Sequence, residues 1–234
     1  MSVEIGIWGV VALGILLIMR LPVALALILV SFSGIWAMIG LKPAMGILEN
    51  TPYSFVASWT MSAVPMFLLM GYIASEAGLT RGLFASARIL LGRVPGSLAS
   101  ATVIASALFA SASGSSVATA AAFSRIATPE MLKSNYQPAL ATGSVAASGT
   151  LGSLIPPSVL LILYGIFTDT SIGALFVAGL IPGVLSALIY IAMITVRARL
   201  NPTIAPIDRT VFTREETVAA IRDVWPLPVL IIGV

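Results

Sequence analysis

The sequence predicts an all-α, polytopic membrane protein. Of its 234 residues, 59% are hydrophobic and only 9% are charged, with a mean hydropathy of +1.07, whereas a typical soluble domain is about 25% charged. Backbone amides in hydrocarbon need internal hydrogen-bond partners, so a membrane-spanning chain is built from helices or from a closed barrel. The apolar runs here are longer than the roughly 10-residue alternating strands of a barrel, which leaves helices.

Several kinds of chemistry are excluded by composition. The chain has no cysteine and no histidine, so disulfides, thiol chemistry and imidazole catalysis are absent. An intramembrane serine protease, which Ser115 beside a glycine superficially suggests, would lack the histidine that activates the serine. The net charge of +3 comes from basic residues at the ends of apolar segments, where they set orientation. We therefore expect neither an enzyme nor a nucleic-acid-binding protein.

The apolar stretches mark the elements in chain order. They cover residues 5–19, 22–40, 60–76, 97–124, 136–168 and 172–196, and a further stretch begins at Trp225. A span needs about 20 residues, and the first two stretches are separated by Arg20, Leu21 and the helix breaker Pro22. No basic region precedes the first stretch, which therefore reads as a membrane helix rather than a cleaved signal peptide. Residues 41–59 contain Pro43 and Pro52 and are expected to form a short amphipathic arm along the outer interface, or a plain loop.

Residues 97–124 are predicted to form a re-entrant helical hairpin. Their 28 positions give about 42 Å of helix, whereas two crossings of the hydrocarbon core need roughly 60 Å. Small and hydroxyl-bearing residues dominate the stretch, which allows close backbone approach. An ordinary small-residue packing helix is the alternative interpretation.

The distribution of basic residues supports the hairpin. With the N-terminus outside and a hairpin that enters and leaves on one side, 11 of the 12 basic residues fall in the cytoplasm and only Lys42 lies outside, as the positive-inside rule requires. A single crossing would move the basic segment 197–222 outside. The cytoplasmic residues are Arg20, Arg81, Arg88, Arg93, Arg125, Lys133, Arg197, Arg199, Arg209, Arg214 and Arg222.

The stretch 136–168 is predicted to be a broken helix, interrupted at 148–157. Fourteen residues separate Ser97 from Ser111 and Tyr136 from Thr150, or about 21 Å of helix in each case, so both breaks should lie at a similar depth in the bilayer. Irregular backbone at that depth is tolerated where it lines a cavity or is covered by protein. The alternative is a pair of kinked helices that merely pack.

The broken ends would supply opposite partial charges. Carbonyls at the end of a first half-helix can bind a cation, and amides at the start of a second half-helix can face an anion. Ser115 or Ser116 is expected to start the second hairpin arm, and Ser153 with Pro156 and Pro157 the second half of the broken helix. No ionisable relay is predicted inside the membrane, which favours Na⁺ bound by neutral oxygens over a proton-coupled pump.

Residues 197–223 carry a capping-box pattern at 213–216 and predict a short cytoplasmic helix. The sequence stops inside what reads as the start of another span. We therefore expect a half-molecule of a transporter built from two repeats of inverted topology.

Specific motifs also resemble a known family. The sequence is similar over its whole length to the N-terminal half of the large, DctM-type membrane subunit of tripartite ATP-independent periplasmic (TRAP) transporters. The family's large subunit is longer, with a second hairpin, so sites from that half are absent. The matching motifs are VPMF at 64–67, FASASGSSVATA at 109–120, ATG at 141–143, AASGTLG at 146–152 and IPPS at 155–158.

The resemblance implies a Na⁺-coupled elevator-type importer of an organic acid in the bacterial inner membrane. It further implies two partners, a small four-helix membrane subunit and a periplasmic substrate-binding protein. The acid could be a C4-dicarboxylate, a keto acid or a sugar acid. A related elevator family without a binding protein and a non-transporting membrane scaffold subunit are the alternatives.

On this reading, residues 1–92 form scaffold-type helices and residues 93–170 form the transport elements. Residues 171–234 form a further span, a linker helix and the start of another span. The N-terminus is expected to be periplasmic. The candidate site has two parts. The Na⁺ candidates are Ser111, Ser113, Gly114, Ser148 and Gly149, and the substrate candidates are Ser115, Ser116, Thr150, Ser153 and Pro156.

Overall fold

The computed structural model describes residues 2–57, 59–92, 94–206, 218, 220, 222, 224 and 225. Within these ranges the regular structure is helical, which confirms the predicted fold class. Two short 3₁₀ turns lie at Trp59–Ser62 and Thr150–Ser153. The α-helices are α1 (Ser2–Ile18), α2 (Val23–Ile39), α3 (Leu41–Val56), α4 (Ala63–Glu76), α5 (Leu79–Leu91), α6 (Ser97–Ser113), α7 (Ser116–Lys133), α8 (Pro138–Gly149), α9 (Val159–Thr168) and α10 (Ile172–Leu200).

The chain divides into two compact units, Met1–Met61 and Ser62–Val234. Helices α4 and α5 therefore belong to the same unit as the predicted hairpin. The division at residues 92 and 170 concerns roles in transport and stays a prediction. The predicted capping box at 213–216 and the apolar stretch after Trp225 lie outside the described residues.

The first unit contains α1, α2 and α3. The backbone turns between α1 and α2 at Arg20, which has a φ of 64°, and Pro22 precedes the first residue of α2. Residues 41–56 are a helix rather than a loop, because Pro43 stands in the first turn, where its missing N–H is not needed. Its position along a membrane interface stays a prediction.

Among the described residues, α10 is the one helix that is both long and apolar enough to cross a membrane by itself. Helices α4 and α5 reach that length together, but they are bent by 64°. Gly78, at a φ of 83°, forms the break between them.

Helix α5 was not predicted, because its arginines and glycine interrupt the apolar run. Its buried side chains include Leu79, Leu83 and Ala87, and this spacing of four residues is the signal of a one-sided amphipathic helix. That face packs against α6.

Helix α6 is the centre of the second unit. Thirteen of its 17 residues are buried, and it contacts α4, α5, α7, α8 and α10. Alanines and serines make this possible, because small side chains allow five neighbours to approach one helix. Phe109 fills the remaining space with Phe123 of α7, at 6.0 Å between ring centroids in an edge-to-face arrangement.

The second arm of the hairpin is longer than predicted. Helix α7 continues through Arg125 and Pro129 to Lys133, so the predicted end at Ser124 is wrong. The apolar run stops there because Ser124 and Arg125 are exposed, while Phe123, Ala127 and Met131 keep a buried stripe at intervals of four residues. A helix with one solvent-exposed face can therefore be longer than the apolar stretch that predicts it.

The broken helix is confirmed, but its second half begins later than predicted. Helix α9 starts at Val159 with Ser158 as its N-cap, not at Ser153. Residues before proline are disfavoured in the helical region, so Pro156 and Pro157 keep the preceding backbone extended or turned. Ser158 is the first residue that can cap a helix, and its side chain accepts from Leu161 N at 3.5 Å.

We expect Phe123→Ala to lower the free energy of unfolding by about 3 to 5 kcal/mol, because it leaves a cavity against Phe109 in the centre of the unit. Val117→Ala, in the same helix at a side chain that is 80% exposed, should change it by less than about 0.5 kcal/mol. Denaturant unfolding in detergent micelles measures both. Equal values for the two variants would contradict the position of Phe123 in the core.

Candidate ion and anion site at two helix breaks

The two predicted breaks meet in the second unit. Val159 N, at the start of α9, donates to Gly114 O at the tip of the hairpin at 3.1 Å. Gly152 lies against the same tip, since a Cβ atom there would be 2.8 Å from the carbonyl of Ser115 and from Ser116 N. We call this meeting point, residues 113–119 with 149–159, the crossing.

The hairpin tip depends on Gly114. Helix α6 ends there with Gly114 at a φ of +59°, in the left-handed region that favours glycine, and Gly114 N donates to Ala110 O at 2.9 Å. A Cβ atom at this residue would also lie 2.7 Å from Pro157 O. Ser115 is then extended and caps α7 by accepting from Ala118 N at 3.3 Å, as one of the two predicted alternatives required.

Hydroxyl groups close the tip from inside. Ser113 Oγ and Thr119 Oγ1 are 3.1 Å apart, and Thr119 Oγ1 also donates to Ser115 O at 2.8 Å. Both side chains are buried. Thr119 was missing from the predicted site, although its place one helical turn after Ser115 is the signal that could have found it.

The second break is held by a different set of contacts. Ser148 Oγ donates to Val145 O and accepts from Ser106 Oγ, both at 3.1 Å. Thr150 Oγ1 donates to Ala147 O at 2.7 Å and lies 3.4 Å from the hydroxyl of Tyr190. Ser106 and Tyr190, which tie the break to α6 and α10, were not predicted.

The last candidates lie at the end of the 3₁₀ turn and before α9. Ser153 Oγ donates to Thr150 O at 2.7 Å, and Ser158 Oγ donates to Ser153 O at 2.9 Å. Pro156 is half-buried beside them. Ser158, which caps α9, is a further residue that sequence reasoning left out of the site, although a serine immediately before an apolar run is an N-cap pattern.

The structure brings most of the predicted residues together, but not all. Ser113, Gly114, Ser115 and Ser116 lie at the crossing with the turn around Gly152. Gly149 packs on α7, where a Cβ atom would be 2.7 Å from Ala120 Cβ. By contrast, Ser111 donates to Leu108 O within α6 at 2.6 Å, and the fully buried Ser148 faces α6.

The crossing supplies neutral oxygens and helix ends. Two helices end and two begin in these segments, so helix C-termini with partial negative charge and helix N-termini with partial positive charge come close together. No group of three or more Asp, Glu, His or Cys residues is present in the described part of the chain. Such a donor set suits a monovalent cation bound by carbonyl and hydroxyl oxygens better than a divalent metal that needs carboxylates.

Comparison with known proteins decides the family. The family model described as "Tripartite ATP-independent periplasmic transporter, DctM component" matches residues 10–234. The chain belongs to this family. The resemblance found in the motifs is thereby confirmed, and the relatives in this family are transporter permeases.

Curated relatives agree with the DctM assignment. The C4-dicarboxylate TRAP transporter large permease protein DctM of Pseudomonas aeruginosa is 39% identical over 204 residues, which cover 83% of this chain and 47% of that protein. The sialic acid TRAP transporter large permease protein SiaM of Vibrio cholerae is 41% identical over 138 residues, or 59% of this chain and 32% of that protein. The ectoine TRAP transporter large permease protein TeaC of Halomonas elongata is 31% identical over 220 residues, or 93% and 51%. The chain thus spans about half the length of the curated relatives it matches.

We expect Gly152→Ala to lower the free energy of unfolding by about 1 to 3 kcal/mol, because its methyl group would collide with the backbone of Ser115 and Ser116. Gly143→Ala is the matched control: it lies in α8 with nothing within 4 Å of the added Cβ atom. That variant should be neutral or stabilised by up to about 1 kcal/mol through helix propensity. Thermal unfolding of both purified variants measures the difference, and an unaffected Gly152→Ala would contradict the close approach.

Proposed function

We propose that this chain is part of the large permease of a TRAP transporter and moves an organic acid anion across the bacterial inner membrane, coupled to Na⁺. The observation that carries the proposal is the crossing of two interrupted helices. Membership of the DctM family supports it. Continuous helices would pack at lower cost, so helix ends that meet at this place favour a binding role over a non-transporting scaffold.

Sodium is the proposed coupling ion. The Na⁺ site would use backbone carbonyls near Gly114 and Gly149 together with the Ser113 and Thr119 hydroxyls. Ser148 would support the site by holding α8 on α6 through Ser106. The hydroxyl of Ser111 donates to Leu108 O within α6, so Ser111 would contribute its backbone carbonyl at the end of that helix.

The acid would bind beside the cation, where two helices start. Ser115 caps α7 and Ser158 caps α9, and the positive end of each helix dipole favours a carboxylate. Ser116, Thr150, Ser153 and Pro156 are proposed as further contacts of the acid. Relatives are named for C4-dicarboxylate, sialic acid, isethionate and ectoine, so we propose the organic-acid class and no individual compound.

An elevator movement of the transport elements is part of the proposal. The hydrogen bond from Val159 N to Gly114 O and the Ser106–Ser148 pair connect the hairpin with the broken helix. Elements joined in this way can move as one body. We propose a periplasmic substrate-binding protein and a small membrane subunit as partners, and a periplasmic N-terminus.

We expect Gly114→Val and Gly149→Val to abolish uptake of the acid while leaving membrane insertion intact, because the side chains would collide with Pro157 and with Ala120, respectively. Gly143→Val, also in α8 but facing open space, is the control and should retain uptake. Radiolabelled succinate uptake by the reconstituted transporter is the measurement. Normal sodium-driven uptake in both site variants would contradict the assignment of the helix breaks to the binding site.

Uptake should require a Na⁺ gradient and persist when a protonophore collapses the proton gradient, because the crossing offers neutral oxygens as ligands. The same proteoliposomes, assayed with choline replacing Na⁺, test this. Transport that follows the proton gradient and ignores sodium would refute the proposed coupling.

The alternative is a related transporter that needs no binding protein. Uptake measured with and without a binding protein distinguishes this alternative from a TRAP transporter. We expect the reconstituted membrane subunits to take up succinate only when the periplasmic protein is added. Equal uptake without that protein would favour the alternative.

A further inference from the structure

A groove runs along α7 beside the crossing. It has a volume of about 610 Å³ and lies between α4 and α7, with the start of α5 at one end. Helix α7 contributes Ser115, Ala118, Ala122 and Arg125, which recur every three or four residues and therefore share one helix face. We call this space the α4–α7 groove. The wall from α4 consists of Leu68, Gly71, Tyr72, Ser75 and Glu76, with the same spacing.

The groove begins at the hairpin tip. Gly71 of α4 approaches so closely that a Cβ atom there would lie 2.7 Å from Ser113 Cα. Ser113 and Ser115 both line the groove at this end. A molecule released from the crossing towards α4 would enter the groove directly.

The far end of the groove is charged. Glu76, Arg81 and Arg125 line it, for a formal sum of +1. Arg125 lies ten residues after Ser115 in α7, or about 15 Å along the helix. Within the part of the chain that the structure describes, neither Arg81 nor Arg125 is in an ion pair, whereas Arg88 and Lys133 both pair with Glu130.

We propose that the α4–α7 groove is a second anion subsite, in which Arg125 and Arg81 receive the carboxylate of the transported acid as it leaves the crossing. The inference rests on the proposed function. A guanidinium presents planar donors that match a carboxylate, and Ser75 of α4 and Thr80 of α5 also line the groove. Alanines 118, 121 and 122 leave room for the body of a small acid, and the volume lies within the range of small-molecule sites.

The groove also fits the orientation that the basic residues predict. Arg81 and Arg125 are both on the predicted cytoplasmic side, so the subsite would lie on the exit route of an importer. The two guanidinium groups would lower the energy of the anion along that route.

Cysteine reactivity tests the proposal without relying on transport. The chain has no cysteine, so a single one can be introduced by Ala122→Cys, three residues before Arg125 in the groove. Val117→Cys is the matched control, because it lies on the same helix but lines a different cavity. The rates of modification by an anionic and a cationic methanethiosulfonate reagent are measured for each variant.

The ratio of the anionic to the cationic modification rate should be higher for Ala122→Cys than for Val117→Cys. Adding Arg125→Gln should lower this preference about fivefold, as expected for one unit charge removed at short range from a partly screened site. Adding Lys133→Gln instead, further along α7, should leave it unchanged. Ala118→Cys repeats the test if Ala122→Cys unfolds on heating earlier than the parent.

Succinate is the probe for the acid itself. It should slow anionic modification of Ala122→Cys but not of Val117→Cys, and Arg125→Gln should remove the protection. Equal reagent preference at both cysteines, no effect of Arg125→Gln, or absence of succinate protection would each overturn the subsite. The charge preference of the reagents is measured independently of uptake. If that preference is retained but uptake does not depend on Na⁺, the result contradicts the proposed function and not the subsite.

Discussion

Two helices that stop inside the protein leave backbone groups that must find partners, and the crossing is where they find them. Buried N–H and C=O groups without partners are costly, and Val159 N meets this requirement by donating to Gly114 O across the two segments. The contact is possible because the residues on both sides are small. Gly114 and Gly152 each approach a carbonyl or amide of the other segment to a distance that no side chain would allow.

Helix α6 gives the crossing a rigid support. Its buried alanine and serine face lets α4, α5, α7, α8 and α10 pack around it. Two hydroxyls of that face are used internally, since Thr102 Oγ1 donates to Leu98 O and Ser106 Oγ donates to Ser148 Oγ. Ser106 therefore joins α6 to α8, and the side chains that face the candidate site come from the tip and from α7.

Neutral and charged groups are separated along α7. At its start, helix ends and hydroxyls supply partial charges, which can hold an ion and a carboxylate without the cost of burying a full charge. The full charges of Glu76, Arg81 and Arg125 line the α4–α7 groove further from the tip. This order suits a path in which a desolvated anion passes from partial charges to solvated cations as it leaves.

The sequence by itself determined the fold class, the two breaks and their residue types. Composition excluded a soluble fold, and the runs of glycine, serine and proline at 111–116 and 148–157 could not continue as uniform helices. Those features are local, since helix propensity and the missing N–H of proline act within a few residues. The family motifs lie in the same two runs.

Only the tertiary structure decided which residues of the two runs face each other. Ser148 is turned onto Ser106 of α6, Thr119 enters the tip beside Ser113, and Ser158 rather than Ser153 begins α9. Contacts between residues far apart in the chain cannot be read from spacing, because the rotation of each helix is set by how its buried face packs. The end of α7 at Lys133 and the existence of α5 escaped prediction for the same reason: a helix packed on one side keeps polar residues on the other, so its apolar run does not show its length.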